Sequence, residues 1–407
     1  MQFNQLKRRE FITLLGGAVA IAHELAPAQT GGIMKYFLQT ACAATLIGLS
    51  SNVYAAAVNG INYDPAHTDA WNKAQQKNDL SDLTSLFNKD LAQIKAMGFN
   101  TIKTHFSAFC VKSGPPNCIN PAQAAKNNGL KVLVGVFEFR AGCDAKHCDG
   151  CMDEANCKKW TKTQVDAAIA LAKDPDTAGT VIGIVVGNED MFNDNGNPIP
   201  KIQKRIVDDI NAIRKGCDPS GNNCQAVSLP VTTAQRQGDW CGGLPAPGCD
   251  PDRKHSLNQD DPEGVLNTIQ IIGANIYPYW AGSPEALPPP SVASQTQSTA
   301  TDLLTKLQRT HPNITSVIIT EEGWPSCAGN WKGQFPTSID EEISYFSTWS
   351  KHENQTFDSY YFMAYDTSPT CSNGGGGGPG SANDADKHFG LCLASGATKD
   401  SHLISCP

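Results

Sequence analysis

Two glutamates in this chain stand where a carboxyl group could do chemistry. Glu189 closes the run Val185-Val186-Gly187-Asn188-Glu189, and Glu321 follows Ile319-Thr320 and precedes Glu322-Gly323-Trp324-Pro325. Each acid comes directly after a short apolar stretch of strand length, so each is expected at a strand end, where loops begin and sites are built. Taken singly, an Asn-Glu pair after a strand reads as a loop cap. Brought together from two strands, the two acids suit cleavage of a glycosidic bond: one protonated carboxyl assists the leaving oxygen, and one carboxylate attacks the anomeric carbon or activates water. Side chains alternate along a strand, so only one of the neighbours Glu321 and Glu322 can face that mouth.

Aromatic residues gather at the same places. Tyr63, Tyr277, Tyr279, Trp280 and Trp324 all lie at or just past apolar runs. Sugar rings present apolar faces, so these side chains could stack on a sugar or hydrogen-bond its hydroxyls, with packing in the core as the competing role.

The elements that must position these groups alternate from Val58 onward. Strand-like runs fall at 60–63, 101–105, 131–137, 181–186, 227–233, 271–276, 316–320 and 359–365. Between them, Leu80, Leu83, Phe87, Leu91 and Ile94 recur at helical spacing and stop at Gly98, and Ile202, Ile206, Ile210 and Ile213 do the same before Gly216. Ser338-Ile339-Asp340-Glu341 is a capping box opening a helix whose buried side would be Ile339, Ile343 and Phe346. Eight strands alternating with helices predict a closed (β/α)8 TIM barrel, a single catalytic domain over 58–407. Three stretches break the pattern and read as loops: the cysteine-bearing insertions 143–157 and 238–262, and 372–382 with its five consecutive glycines. Following strands 3, 5 and 8, they would surround the site.

On these residues the chain resembles glycoside hydrolase family 17, the β-1,3-glucanases and related glucan transferases. Val185-Val186-Gly187-Asn188-Glu189 and Ile319-Thr320-Glu321-Glu322-Gly323-Trp324-Pro325 are similar to that family's acid and nucleophile motifs. Gly60-Ile61-Asn62-Tyr63, Val231-Thr232-Thr233-Ala234, Ala274-Asn275-Ile276-Tyr277-Pro278-Tyr279 and His388-Phe389-Gly390-Leu391 fall in the family's order. The resemblance implies a retaining double displacement with Glu189 as proton donor and Glu321 as nucleophile. It implies substrate contacts from Tyr63, Asn188, Asn275, Tyr277, Trp324 and Asp366, with Asn188 on the sugar 2-hydroxyl. It leaves Glu322 as a tolerant neighbour, at a position usually held by Ser or Thr. Two departures stand out. Lys103-Thr104-His105 occupies the place of an Arg-x-Tyr-like stretch, and Phe362-Met363-Ala364-Tyr365-Asp366-Thr367 lacks the Glu and Lys usual on the last strand. Lys103, His105 and Asp366 are the candidates to take over. The implied activity is hydrolysis of β-1,3-glucan. The alternatives are a glucan transglycosylase, in which sugar rather than water attacks the intermediate, and an inactive barrel that binds glucan or cell wall.

Charge and cysteine bound the rest. A net charge of −8 disfavours nucleic acid and is compatible with a neutral polysaccharide or oligosaccharide partner, and no segment after Val58 is long and apolar enough to cross a bilayer. A soluble monomer is expected. Lys7-Arg8-Arg9-Glu10-Phe11-Ile12, the apolar 13–22 and Ala26-Pro27-Ala28 resemble a twin-arginine signal over 1–30. Met34-Lys35, the apolar 36–49 and Val53-Tyr54-Ala55-Ala56-Ala57 have the pattern of a general secretory signal over 34–57. Either would export the protein, to the extracellular space, periplasm or cell wall. Fifteen cysteines, less Cys42 within the second signal, leave an even fourteen, as suits an oxidising compartment. Proximity suggests Cys110 with Cys118, Cys217 with Cys224, Cys241 with Cys249, and Cys392 with Cys406. A zinc site from Cys143, His147, Cys148, Cys151 and Cys157 is the rival to disulfides there, although its spacing is irregular for a structural site. No metal or other cofactor is expected in the barrel mouth.

Overall fold

The computed structural model describes residues 59–111, 117–138, 154–193, 196–216, 225–242, 254–281, 289–327, 337–351, 355–368 and 385–406. Eight parallel strands close into a barrel in chain order: β1 Asn59–Asn62, β2 Thr101–Lys103, β3 Lys131–Val136, β4 Val181–Asn188, β5 Val231–Arg236, β6 Ile271–Asn275, β7 Ser316–Glu322 and β8 Ser359–Tyr361. The seam joins β1 to β8, with Asn59 opposite Ser359 and Ile61 opposite Tyr361. Strands such as β4, with the sequence VIGIVVGN, are apolar nearly throughout because both faces are covered.

Leu133, Val185, Ala234 and Tyr360, drawn from four different strands, form a small cluster within the barrel. Gly60 makes room for the Tyr360 ring, since a Cβ there would lie 2.4 Å from its Cδ1. Outside the strands, two larger clusters pack the helices onto the barrel. Helix Leu80–Ala96 buries Leu83, Phe87, Leu91 and Ile94, and helix Pro200–Lys215 buries Ile202, Ile206, Ile210 and Ile213 before ending at Gly216 with φ 57°. Both faces follow the predicted spacing.

Several expectations are corrected. The fifth strand begins at Val231 rather than at 227, because Pro230 carries no amide hydrogen for the ladder. It runs on through polar Gln235 and Arg236, which pair with Ala274 and Asn275 of β6. The eighth ends at Tyr361; beyond it Met363 N donates to Phe389 O (3.0 Å) and Asp366 N to Cys392 O (2.8 Å), so a closing segment takes over as partner. Helix Ile339–Trp349 is capped by Ser338 as predicted, but its buried face is Glu342, Tyr345, Phe346 and Trp349, with Ile339 and Ile343 only half-buried. The loop 238–262 opens with the short helix Gln237–Cys241, whose fully buried Trp240 donates Nε1 to Gly273 O at 2.9 Å. A small antiparallel ribbon pairs Phe109–Cys110 with Cys118–Ile119.

Disulfides join Cys110 to Cys118 and Cys392 to Cys406. Cys157, Cys241 and Cys327 are disulfide-bonded as well, and Cys217, Cys224 and Cys249 lie outside the described residues. No helix among the described residues is long and apolar enough to cross a membrane.

The exit of β2 crosses β3 at Gly135, where a Cβ would meet Thr104 O at 2.2 Å and His105 C at 2.6 Å. Both obstacles are backbone, so neither can swing aside. Gly135→Ala is expected to cost about 3 kcal/mol, the upper range for overpacking, measured as a drop in urea midpoint at unchanged slope.

Candidate active site

β4 and β7 deliver the two acids to one mouth of the barrel. The chain leaves β4 through two left-handed positions, Gly187 at φ 74° and Glu189 at φ 54°. Glycine is demanded at the first, where a Cβ would also meet Asp190 Oδ2 at 2.7 Å. At the second a non-glycine residue holds an unfavourable conformation that its contacts must sustain. The Glu189 amide donates to Ala234 O at 3.0 Å, and Asn275 Nδ2 donates to Glu189 Oε1 at 2.8 Å. Thr320 Oγ1 donates to Asn275 Oδ1 at 2.7 Å, which turns the Nδ2 end of that amide toward Glu189 and toward Asn188 Oδ1 at 3.3 Å.

The neighbours Glu321 and Glu322 go to opposite sides of β7. Register between β6 and β7 shifts after Ala274, which pairs with Ile319, so that Asn275 comes opposite Glu321. Such a bulge re-aims a side chain beside a site. Glu321 faces the mouth, where Lys103 Nζ lies 2.8 Å from Oε1 and Tyr277 donates its hydroxyl to Oε2 at 2.8 Å. Lys103 Nζ also donates to Asn62 Oδ1 at 2.9 Å, and Asn62 Nδ2 to Thr320 O at 3.0 Å. Glu322 instead enters the helical shell, accepting from Tyr345 Oη (3.1 Å), Trp349 Nε1 (3.0 Å) and Ser359 Oγ. The reading of Glu322 as a tolerant neighbour is therefore corrected: it is the buried acceptor that holds helix Ile339–Trp349, and removing it would take the acceptor from the Tyr345 phenol and leave the Trp349 indole only Ser359 Oγ, at 2.9 Å.

The two mouth carboxyls sit in opposite electrostatic settings. Burial, and then the charge of Glu321, pushes Glu189 up to about 7, against the downward pull of the Asn275 hydrogen bond and of Arg236. For Glu321 burial also pushes upward, but the Lys103 charge and the hydrogen bonds from Lys103 and Tyr277 outweigh it and hold the group below its ordinary value. Burial and the nearby Glu321 and Glu189 charges keep the Tyr277 phenol protonated, so it remains a donor. Burial and Lys103 lower His105 to about 4, leaving it neutral beside the site at pH 7. Near neutrality one acid is poised to give a proton and the other is ionised.

Of the sequence-derived candidates, Glu189, Glu321, Asn188, Asn275 and Tyr277 are brought together here. The remaining three go elsewhere. Tyr63 points into the helical shell, where it is fully buried, donates to Asp90 Oδ2 at 2.9 Å and packs edge-on against Phe87; strand alternation gives the mouth Asn62 instead. Trp324 is fully buried between Tyr345 and Tyr279, with ring centroids at 5.8 and 5.5 Å. Asp366 is buried against Gly390 N (2.8 Å) and Lys399 Nζ (2.9 Å), so a lysine does reach the segment following β8, from a part of the chain remote in sequence. Of the residues flagged as replacements, Lys103 contacts Glu321 directly. Asn62 and Thr320 were not singled out: each is the immediate neighbour of a flagged residue, and period-two alternation from Tyr63 or Glu321 would have turned it away from the mouth. Arg236, whose Nε lies 3.2 Å from Asp239 Oδ2, gave no signal beyond its place at the end of β5. Cys157 of the proposed zinc cluster is disulfide-bonded, and Cys143, His147, Cys148 and Cys151 lie outside the described residues.

A family model described as the BtgE/BtgC glycoside hydrolase domain matches residues 60–390. No curated protein sequence matches the chain. Among solved structures, the β-1,3-glucanosyltransferase of Rhizomucor miehei, an active-site mutant in complex with laminaritriose, has a similar fold at 17% identity and TM-score 0.50, over 83% of this chain and 94% of that one. A plant β-glucan endohydrolase is similar at 16% identity and TM-score 0.48, over 83% and 97%.

Lys103→Met would leave the Glu321 carboxylate buried without its cation. If ionisation of Glu321 sets the acid limb of kcat/KM against pH, that limb is expected to move up by about 1–3 units. An unmoved acid limb would remove Lys103 from this role. Proton donation by Glu189 would need its protonated form, whose value is raised to about 7, so in the unaltered protein activity above the acid limb should fall as pH rises through about 7.

Proposed function

The chain belongs to the family of the BtgE/BtgC glycoside hydrolase domain, and from that premise we propose that it hydrolyses β-1,3-glucan by a retaining double displacement. The observation that carries this reading is the split between two carboxyls in one mouth, Glu189 raised to about 7 and Glu321 held low against Lys103. In the first step Glu189 gives its proton to the glycosidic oxygen while a Glu321 oxygen bonds to the anomeric carbon, and the leaving sugar departs as an alcohol. Esterification removes the Glu321 charge, one of the causes that raise Glu189, so Glu189 becomes the stronger acid and stays as carboxylate. That carboxylate takes a proton from water, whose oxygen attacks the anomeric carbon and releases Glu321.

Asn188, whose Oδ1 accepts from Asn275, is assigned to the sugar 2-hydroxyl through its amide N–H. The stacking role given to Tyr63 and Trp324 passes to half-buried Trp280 and Phe362, which flank the Tyr277 and Phe389 rings at the mouth. The choice of β-1,3-glucan is supported by the motif resemblance to family 17 and by the fold shared with the Rhizomucor miehei enzyme. Disulfides at Cys110–Cys118 and Cys392–Cys406 support an exported protein.

Purified protein should release reducing ends from laminarin, and an inert protein would leave only a glucan-binding barrel. Products longer than the starting chains would assign the second step to a sugar acceptor rather than water. Glu321→Gln is expected to lower turnover by a factor of roughly several thousand or more. For Glu321→Ala, added azide should restore cleavage and yield a glycosyl azide of inverted configuration; rescue of Glu322→Ala instead would move the nucleophile by one residue.

A further inference from the structure

Lys399 is remote from both acids in sequence, yet its side chain is only 7% exposed. An ammonium loses several kcal/mol of hydration on burial unless acceptors replace the water. Here they come from three pieces of the wall behind Glu321. Lys399 Nζ donates to Ser326 Oγ at 2.9 Å, to Asp366 Oδ1 at 2.9 Å and to Glu342 Oε2 at 3.0 Å. Ser326 lies in the turn leaving β7, Asp366 in the chain leaving β8, and Glu342 on helix Ile339–Trp349.

These contacts converge on the segment 388–390. Ser326 N donates to His388 O at 2.9 Å and Gly390 N to Asp366 Oδ1 at 2.8 Å, so the segment is pinned on both sides of Phe389. The Phe389 ring meets Tyr277 edge-on with centroids 5.5 Å apart, and Tyr277 is the phenol that donates to Glu321. Packing leaves no slack, since a Cβ on Gly323 would lie 2.3 Å from Phe362 O and 3.2 Å from Phe389 Cδ1. Lys399 itself is carried in the loop closed by Cys392–Cys406. Cys406 N donates to neighbouring Thr398 Oγ1 at 3.0 Å, and Gln93 Nε2 donates to Gly396 O at 2.6 Å.

We propose that Lys399 is a positioning residue for the nucleophile: by gathering Ser326, Asp366 and Glu342 on one ammonium it fixes Phe389 against Tyr277, and so fixes the hydrogen bond from Tyr277 to Glu321. The proposal rests on the reading of Glu321 given above. Lys399 touches neither acid and acts only through that wall.

A double-mutant cycle on laminarin with the full chain tests it. Lys399→Met is expected to lower kcat roughly ten- to a hundredfold with KM little changed, the scale on which a misplaced reacting group costs rate. The acid limb should also move upward as Glu321 loses its tyrosine donor. Added to Tyr277→Phe, Lys399→Met should cost little more, because both act through one hydrogen bond. Full additivity of the two, or wild-type kcat and acid limb in Lys399→Met, overturns the proposal. Lys399→Met leaves Asp366 without its cation; if it does not fold, the charge-balanced Lys399→Met/Asp366→Asn takes its place in the same cycle with the same two outcomes. Glu321→Gln run alongside separates the levels. If it is dead while Lys399→Met is unaffected, only the positioning role fails; if it is active, the reading of Glu321 falls and the proposal with it.

Discussion

A carboxylate that is 4% exposed keeps its charge only if something replaces the water it has lost, and for Glu321 that replacement is Lys103, itself 1% exposed. Much of the mouth is arranged around this pair. Lys103 needs a second acceptor, and Asn62 supplies it while tying its own amide to the backbone of Thr320, the residue before Glu321. Thr320 in turn orients Asn275, which reaches Glu189. One chain of hydrogen bonds therefore runs from β1 and β2 through β7 and β6 to β4, and links the ionised acid to the protonated one. Within the barrel, Leu133, Val185, Ala234 and Tyr360 add a small apolar cluster.

Alternation along β7 lets two adjacent acids serve unrelated ends. Glu321 faces the mouth against Lys103 and Tyr277, while Glu322 gives the helical shell a buried acceptor for Tyr345 and Trp349. The second role makes the first more exact. Trp324 stacks on Tyr345, so the turn leaving β7 rests on the helix that Glu322 anchors. A substitution at Glu322 thus disturbs the site through packing, and its effect on rate is not a measure of charge at the mouth.

The barrel and its two acids were legible because their signals are local. Apolar runs of strand length alternate with helical faces, and each acid sits directly past such a run. What escaped depends on which way a side chain points or on contacts remote in sequence. Tyr63 and Trp324 stood at motif positions, but the alternation that sends Asn62 and Glu321 inward turns Tyr63 out, and Trp324 is absorbed by the aromatic shell. Lys103 could be named as a replacement, since it occupied a departure from a known pattern. Lys399 could not: nothing near it in sequence shows that Asp366, Glu342 and Ser326 will meet there.

The seam of the barrel has a consequence in time. β1 begins at Asn59 and its partner β8 begins at Ser359, so the two strands that close the cylinder are separated by nearly the whole folded sequence. Loop closure over such a span yields no contacts until late, and non-local pairing of this kind forms slowly. During synthesis from the N-terminus, Lys103, Asn62 and Glu189 all emerge before Glu321. Phe389 and Lys399, at the wall behind it, come later still. The growing chain therefore holds Glu189 without Glu321, and then Glu321 without its wall. The mouth is therefore incomplete on the nascent polypeptide until the last part of the barrel has been made, a consequence of topology alone.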